Sequence, residues 1–409
     1  MIPKGRVLAI ILAGGKGERL HPLTKERSKP AVPFGGKYRL IDFVLSNFVN
    51  SGIQSIYVLV QYLSQSLIEY VRANWRTAGL TQDQFITMVP PQMRLGDTWY
   101  RGTADAVRQN MNLILDFDPD LVAVFGADHI YRMDVSQMLQ FHLQAGADLT
   151  IAAIPVPVRQ AASFGVLEAN ARGRIAGFEE KPADPRHMPG NKDMAYASMG
   201  NYIFNRDVLV DILQSRTAEG GELDFGRSIL PQIFKRYKVM AYNFAANDLP
   251  GLKSYEEKGY WRDVGTIGAY WQANMDILGA KPKLNLNNRK WFIHSGRYDG
   301  PPAKVIDARL SNCIISDGCF LRRATVRNSI LGRGVHVHEG AVIEDSIIMD
   351  FCKIGADTRL KRAIVDRFNE ISPRQTIGGD GAAAGKDWLV DPSGIVVVPR
   401  SRSRIPVLA

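Results

Sequence analysis

Residues 310–371 read LSNCIISDGCFLRRATVRNSILGRGVHVHEGAVIEDSIIMDFCKIGADTRLKRAIVDRFNEI, and one regularity runs through them. Leu310, Ile315, Leu321, Val326, Leu331, Val337, Ile343, Ile348, Ile354, Leu360, Val365 and Ile371 follow one another at steps of five or six. A helix would repeat at about 3.6 residues and a strand at 2. A parallel β-helix produces the longer step, because each short strand sends one branched side chain inward before the chain turns a corner. Gly318, Gly332, Gly334, Gly340 and Gly355 fall between these positions, where corners favour permissive backbone.

Upstream the texture differs. Val7 to Leu12, Ile56 to Val60, Leu121 to Phe125 and Leu149 to Ile154 are short apolar runs rich in branched residues, as in strands buried on both faces of a mostly parallel sheet. Leu63 to Arg76 and Ala104 to Ile114 carry helical spacing between them. This alternation predicts an α/β domain over residues 1–280. Lys281-Pro282-Lys283 and Gly300-Pro301-Pro302 bracket a polar connection, 281–302. The β-helix is expected over 303–380 and a tail over 381–409, where Ala382 to Gly385 and the Arg/Ser alternation of Arg400 to Arg404 read as less ordered.

With 409 residues, 45% hydrophobic and 22% charged, the chain has the composition of a globular protein of two domains. The run Val7 to Ala13 follows Lys4 and Arg6 but is too short for a membrane span and leads into glycines rather than a cleavage site. Three cysteines without C-x-x-C spacing argue against a disulfide framework or zinc cage and for a reducing cytoplasm. The net charge of +10 is spread among comparable numbers of acids, with no nucleic-acid-binding motif. It suits a solvated basic surface and the binding of small phosphorylated anions.

The chemistry starts after the first strand. Gly14-Gly15-Lys16-Gly17-Glu18-Arg19 opens a turn whose backbone N–H groups can approach phosphate, with Arg19 to neutralise it. It is neither a P-loop nor a dinucleotide fingerprint, because the third glycine position of G-x-G-x-x-G is Leu20. His21-Pro22-Leu23-Thr24 and Lys29-Pro30 complete G-G-x-G-x-R-L-x-P-L-T-x-x-x-x-K-P, a pattern similar to that of sugar-phosphate nucleotidyltransferases. Asp128 lies just past the carboxyl end of a buried strand, and Asp263 sits in Tyr260-Trp261-Arg262-Asp263-Val264-Gly265-Thr266. Two such carboxylates brought together would hold magnesium. His129 reads as packing or support for its neighbour, since nucleotidyl transfer needs positioning and charge more than a nucleophile.

The chain resembles the bacterial ADP-glucose pyrophosphorylases (glucose-1-phosphate adenylyltransferases) from about Val7 to Ile377. Trp99-Tyr100-Arg101-Gly102-Thr103-Ala104-Asp105-Ala106, Gly126-Ala127-Asp128-His129-Ile130-Tyr131, Glu179-Glu180-Lys181-Pro182 and Tyr260 to Thr266 carry the match. The resemblance implies a Rossmann-like nucleotidyltransferase domain followed by a left-handed parallel β-helix. It further implies that ATP and glucose 1-phosphate give ADP-glucose for glycogen synthesis. Tyr100, Gly165, Glu180, Lys181 and Ser198 would bind glucose 1-phosphate, and Arg19 and Lys29 would face the ATP phosphates. Gly14 and Gly15 belong to the same nucleotide loop, Gln92 sits where a base-reading loop would lie, and Asp128 and Asp263 would hold Mg2+. A homotetramer controlled by anionic metabolites is implied, with Arg39 and Arg367 at the regulatory site and Gln61 and Trp99 in communicating loops. Glu26 departs from the pattern, because several relatives carry a basic residue there, and an acid would repel an anionic activator.

Three other readings have their own residues. An acyltransferase would use His336 or His338 in the repeat as a base, but the repeat spans only about 60 residues and both histidines are expected at the surface. A regulatory or scaffold homologue would have lost Arg19, Lys29, Asp128, Lys181 or Asp263, and all five are present. A nucleotidyltransferase using UTP or dTTP would keep every one of them.

Overall fold

The structure is a computed structural model and describes residues 6–75, 83–94, 96, 98–215, 223–379 and 387–401. The expected disorder of Ala382 to Gly385 lies outside the described residues, as does most of the Arg/Ser alternation at the end of the chain.

All four apolar runs are strands of one sheet. Val7–Ala13 pairs in parallel with Ser55–Val60 on one side and Leu121–Gly126 on the other, and Phe85–Val89 extends the parallel set. Leu8, Ile10, Val122 and Val124 are inaccessible on one face and Ala9, Ile11, Ala123 and Phe125 on the other, which is why these strands show no polar alternation. The long strand Met194–Asn205 then enters antiparallel between Leu121–Gly126 and Leu149–Pro157. Its register shifts between Ser198 and Tyr202, an irregularity that turns this stretch toward the site.

Helix Gln65–Asn74 falls inside its expected range. The run Ala104 to Ile114 instead forms two helices, Thr103–Gln109 and Met111–Phe117, broken at Asn110. Asn110 donates through Nδ2 to the Ala106 carbonyl and to the Tyr100 hydroxyl, so the break holds Tyr100 in place.

The repeat is a parallel β-helix. Lys304, Phe320, His336, Lys353 and Glu370 stack in register, so successive coils lie 16 or 17 residues apart, three of the sequence steps. Leu321 to Ile371 of the repeat point inward and are at most 5% exposed. Leu310 corrects the expectation: it lies on the open first coil and is 41% exposed. The corners differ too. Gly332 and Gly355 have no positive φ, while Asn312, Asn328, Asp345 and Arg362 form one left-handed column and Asp307, Arg323, Gly340, Asp357 and Arg374 another. Val396–Val398 adds a further strand beside Ala363–Val365, well past Ile371.

The two halves share a core. Ile330, Ile347, Ile364 and Val397 on one β-helix face pack with Phe34, Phe43, Tyr270 and Ile277. The connection between the halves is docked rather than loose, with Leu284, Trp291 and Ile293 buried.

Candidate active site

The carboxyl ends of the parallel strands open onto a cavity of about 480 Å³, the edge where α/β sheets present ligand sites. Gly14 and Gly15 follow Val7–Ala13, Gln61 follows Ser55–Val60, and Asp128 follows Leu121–Gly126. The glycines serve different ends. A Cβ on Gly15 would meet nothing within 4 Å, so no protein group demands glycine there, and the open space faces the cavity. Gly17, with φ +68°, lets Lys29 and Thr24 pack where a side chain would clash, at 2.9 and 3.2 Å from a Cβ.

Asp128 and Asp263, 135 residues apart in sequence, meet because Trp261–Asp263 pairs antiparallel with His129–Tyr131, setting Asp263 opposite His129. Lys29 bridges them: its Nζ donates to Asp128 Oδ2 at 2.9 Å and to Asp263 Oδ1 at 3.0 Å. Burial disfavours the Lys29 ammonium, but Asp128 and then Asp263 outweigh it and raise its pKa. Burial likewise disfavours ionised Asp128, yet Lys29 and His129 hold its carboxyl well below the usual range. His129 Nε2 lies 3.7 Å from Asp128 and 4.0 Å from Asp263, with its ring against Trp261. Donor atoms from Asp128, His129 and Asp263 lie within 4.8 Å of one another. Two carboxylates that already share one cation, with space for water and phosphate oxygens, fit a magnesium ion. Arg19 is largely exposed at the mouth, 3.9 Å from Asp263.

The same cavity is also lined by Glu180, Lys181, Ser198, Gly165 and Tyr100. Lys181 adopts a left-handed φ of +52°, and its N–H donates to the Phe164 carbonyl, so the ammonium stands at the cavity and half exposed. Burial, opposed by Lys181 and aided by Asp224, raises the Glu180 pKa. Gly165 makes room: a Cβ there would lie 2.4 Å from the Phe178 ring and 2.9 Å from Glu180 Oε2. Gln61, expected in a communicating loop, is part of this cavity, where its Oε1 accepts from the Tyr100 N–H at 2.6 Å. Gln92 and Trp99 are exposed and are not among the residues around the cavity; Gln92 instead donates to the Pro90 carbonyl.

Asp224, Thr103 and Trp261 also face the cavity and were not singled out as site residues from the sequence. Asp224 accepts from the Thr103 hydroxyl at 2.7 Å and from the Gly226 N–H at 2.8 Å. The W-Y-R-G-T-A-D-A string held the signal for Thr103. Asp224 sits in a stretch with no motif.

A second feature lies between the halves. Arg39 caps helix Leu40–Asn50 and stacks on Tyr70 at 4.1 Å. Burial and then the charge of Arg367 lower its pKa to about 10, with Tyr70 and Asp350 only partly opposing. Arg367 pairs with Asp350 at 3.4 Å, and Arg400 pairs with Glu26 at 3.8 Å. Arg27 is buried against Asp366, and its Nε and Nη1 have no partner among the described residues. Next to it is a cavity of about 510 Å³ that includes Lys25, Glu26, Arg27, Trp388 and Arg400.

Comparison with known proteins agrees with this architecture. A nucleotidyl transferase family model matches residues 8–279, and a model described as GlmU-like, C-terminal hexapeptide matches residues 301–398. The chain is 52% identical over 397 residues to the glucose-1-phosphate adenylyltransferase of Thermodesulfovibrio yellowstonii, covering 97% of this chain and 96% of that protein. The enzymes of the same name from Photobacterium profundum and Deinococcus radiodurans are 46% and 45% identical, each across 97% of this chain and 98% and 99% of their own. A cavity at the nucleotidyl transferase sheet edge, a β-helix docked against it and full-length identity of this size together place the chain in the glucose-1-phosphate adenylyltransferase family.

Proposed function

We propose that the protein joins ATP and glucose 1-phosphate into ADP-glucose and pyrophosphate, supplying a glucosyl donor for glycogen synthesis. The observation that carries this reading is that one cavity is lined by Lys29, Asp128 and Asp263 together with Glu180 and Lys181. A phosphate oxygen of glucose 1-phosphate attacks the α-phosphorus of ATP in line, and the bond from that phosphorus to the bridging oxygen breaks as pyrophosphate leaves. Lys181 holds the sugar phosphate, and Glu180 accepts hydrogen bonds from sugar hydroxyls. Gly14 and Gly15 let the triphosphate approach the backbone, and Arg19 and Lys29 meet its negative charge. Asp128 and Asp263 would hold a magnesium ion, whose chemistry there would be neutralisation of the negative charge on the reacting phosphates. In-line displacement needs no covalent enzyme intermediate.

The arginines at the junction of the halves belong to the proposal as the place where anionic metabolites act. Arg27, with unpartnered buried donors among the described residues, supports that role. A homotetramer is included as well. The open first coil, with Val305 44% and Leu310 41% exposed, is the kind of solenoid end that another copy would cover. No helix among the described residues is long and apolar enough to cross a membrane.

The test is pyrophosphate release from the purified protein with magnesium and glucose 1-phosphate, comparing ATP, UTP, dTTP, CTP and GTP. Strong preference for ATP is expected. Preference for another nucleotide would overturn the substrate assignment. No release with any of them, with sugar-phosphate activators added, would overturn the catalytic reading.

A further inference from the structure

We infer that Lys29 is the resident counter-cation of the Asp128–Asp263 pair and is exchanged for the divalent ion when that ion binds. This rests on the reading of the two acids as magnesium ligands. The Lys29 ammonium takes one oxygen from each carboxylate, Asp128 Oδ2 and Asp263 Oδ1, at 2.9 and 3.0 Å. Its side chain is only 7% exposed, so water does little to loosen the bridge. A magnesium ion binds carboxylate oxygens at about 2.1 Å and so needs the space between them. Nζ already lies between those oxygens, and two cations brought that close repel each other.

The displaced ammonium has somewhere to go. The stem of Lys29 is fixed against the glycine turn at Gly17, while Gly14, Gly15 and Arg19 border the same cavity with open space beside Gly15. That is the side on which the triphosphate is proposed to lie. The exchange gives the bridge a purpose. Before the ion arrives, Lys29 keeps two partly buried carboxylates from facing each other uncompensated. Once it arrives, the freed ammonium turns to the departing pyrophosphate, so that charge is delivered only to the metal-loaded site. The rival arrangement is a fixed pair, in which Lys29 never leaves. The ion would then bind the outer oxygens and His129 Nε2.

Manganese binding to the free enzyme, followed by electron paramagnetic resonance without nucleotide, separates the two. An adjacent charge changes the proton affinity of a carboxylate by about 10- to 1000-fold, and a similar effect on the ion is expected. Lys29→Met should therefore tighten manganese binding by at least about tenfold, and Lys29→Gln, closer in polarity and length, should act in the same direction. Unchanged or weaker binding in both variants would overturn the exchange. Asp128→Asn in the wild-type background tests the underlying reading. If it abolishes manganese binding while the Lys29 variants leave affinity unchanged, the metal ligands stand and only the exchange falls. If wild type and all variants fail to bind manganese, both fall. Acetic anhydride footprinting of wild type is independent of folding in the variants. Manganese should raise acetylation of Lys29, and an unaltered rate would count against exchange.

Discussion

Glu180 shows how a single environment sets a measurable property. Burial, with Lys181 opposing and Asp224 adding to it, raises its pKa above the ordinary 4.5. Only the ionised form accepts from sugar hydroxyls on both oxygens, so the proton returns at a higher pH than for a free glutamate. The KM for glucose 1-phosphate should therefore rise as pH falls through a midpoint above 4.5. Asp128, held below the carboxylate range, stays ionised over the same window, so kcat should change much less. A KM profile with its midpoint at or below 4.5 would contradict this assignment. Lys181→Gln removes a charged phosphate contact and is expected to raise the same KM about 10- to 100-fold with little change for ATP, as initial rates would show. Both residues were legible because they sit in one short motif. The Lys29 bridge was not. Its two partners lie 99 and 234 residues away, and only the pairing of Trp261–Asp263 with His129–Tyr131 brings them together.

Elements follow the same rule of local legibility. The inward positions of the β-helix were readable because branched side chains must recur once per face, and from Leu321 to Ile371 they are buried as that period requires. The corners were not, because Asn, Asp, Arg and Phe hold left-handed backbone there more often than glycine does. Polar ladders help stabilise this conformation, as where Asn328 Nδ2 donates to Asp345 Oδ1 at 3.2 Å on the next coil. The helix break at Asn110 was equally hidden, since asparagine is tolerated within a helical pattern and its tie to Tyr100 is tertiary. Glycine matters most where stacking leaves no room. At Gly378, with φ +75°, a Cβ would lie 2.0 Å from the Lys361 carbonyl oxygen. Gly378→Ala should cost about 2 to 4 kcal/mol in denaturant unfolding. Gly394 has φ +79° but open space around it, so Gly394→Ala should cost only about 1 kcal/mol. Equal costs would mean that backbone conformation alone, not the neighbouring coil, sets the requirement.

Across the whole molecule, the short segment of residues 26–29 links the arginines at the junction of the halves to the cavity. Glu26 faces Arg400, Arg27 reaches across to Asp366 on the β-helix, and Lys29 reaches into the cavity between Asp128 and Asp263. Anything that shifts the β-helix against the catalytic half therefore pulls on the segment that carries Lys29. Glu26 places a carboxylate 3.8 Å from Arg400; if anionic metabolites act at these arginines as proposed, Glu26→Lys should strengthen activation by anionic sugar phosphates. An unchanged activation curve would detach Glu26 from that control. The Arg27–Asp366 pair tests the mechanical link itself. Both side chains are at most 4% exposed, so losing one partner strands a buried charge. Arg27→Met alone should cost about 3 to 5 kcal/mol in unfolding free energy, whereas Arg27→Met with Asp366→Leu should recover most of it. If the segment transmits control, the double variant will regain stability and basal turnover yet lose its response to activators. A double variant that regains all three would assign the pair to stability alone and leave transmission to the aromatic and aliphatic packing around Tyr270 and Ile347.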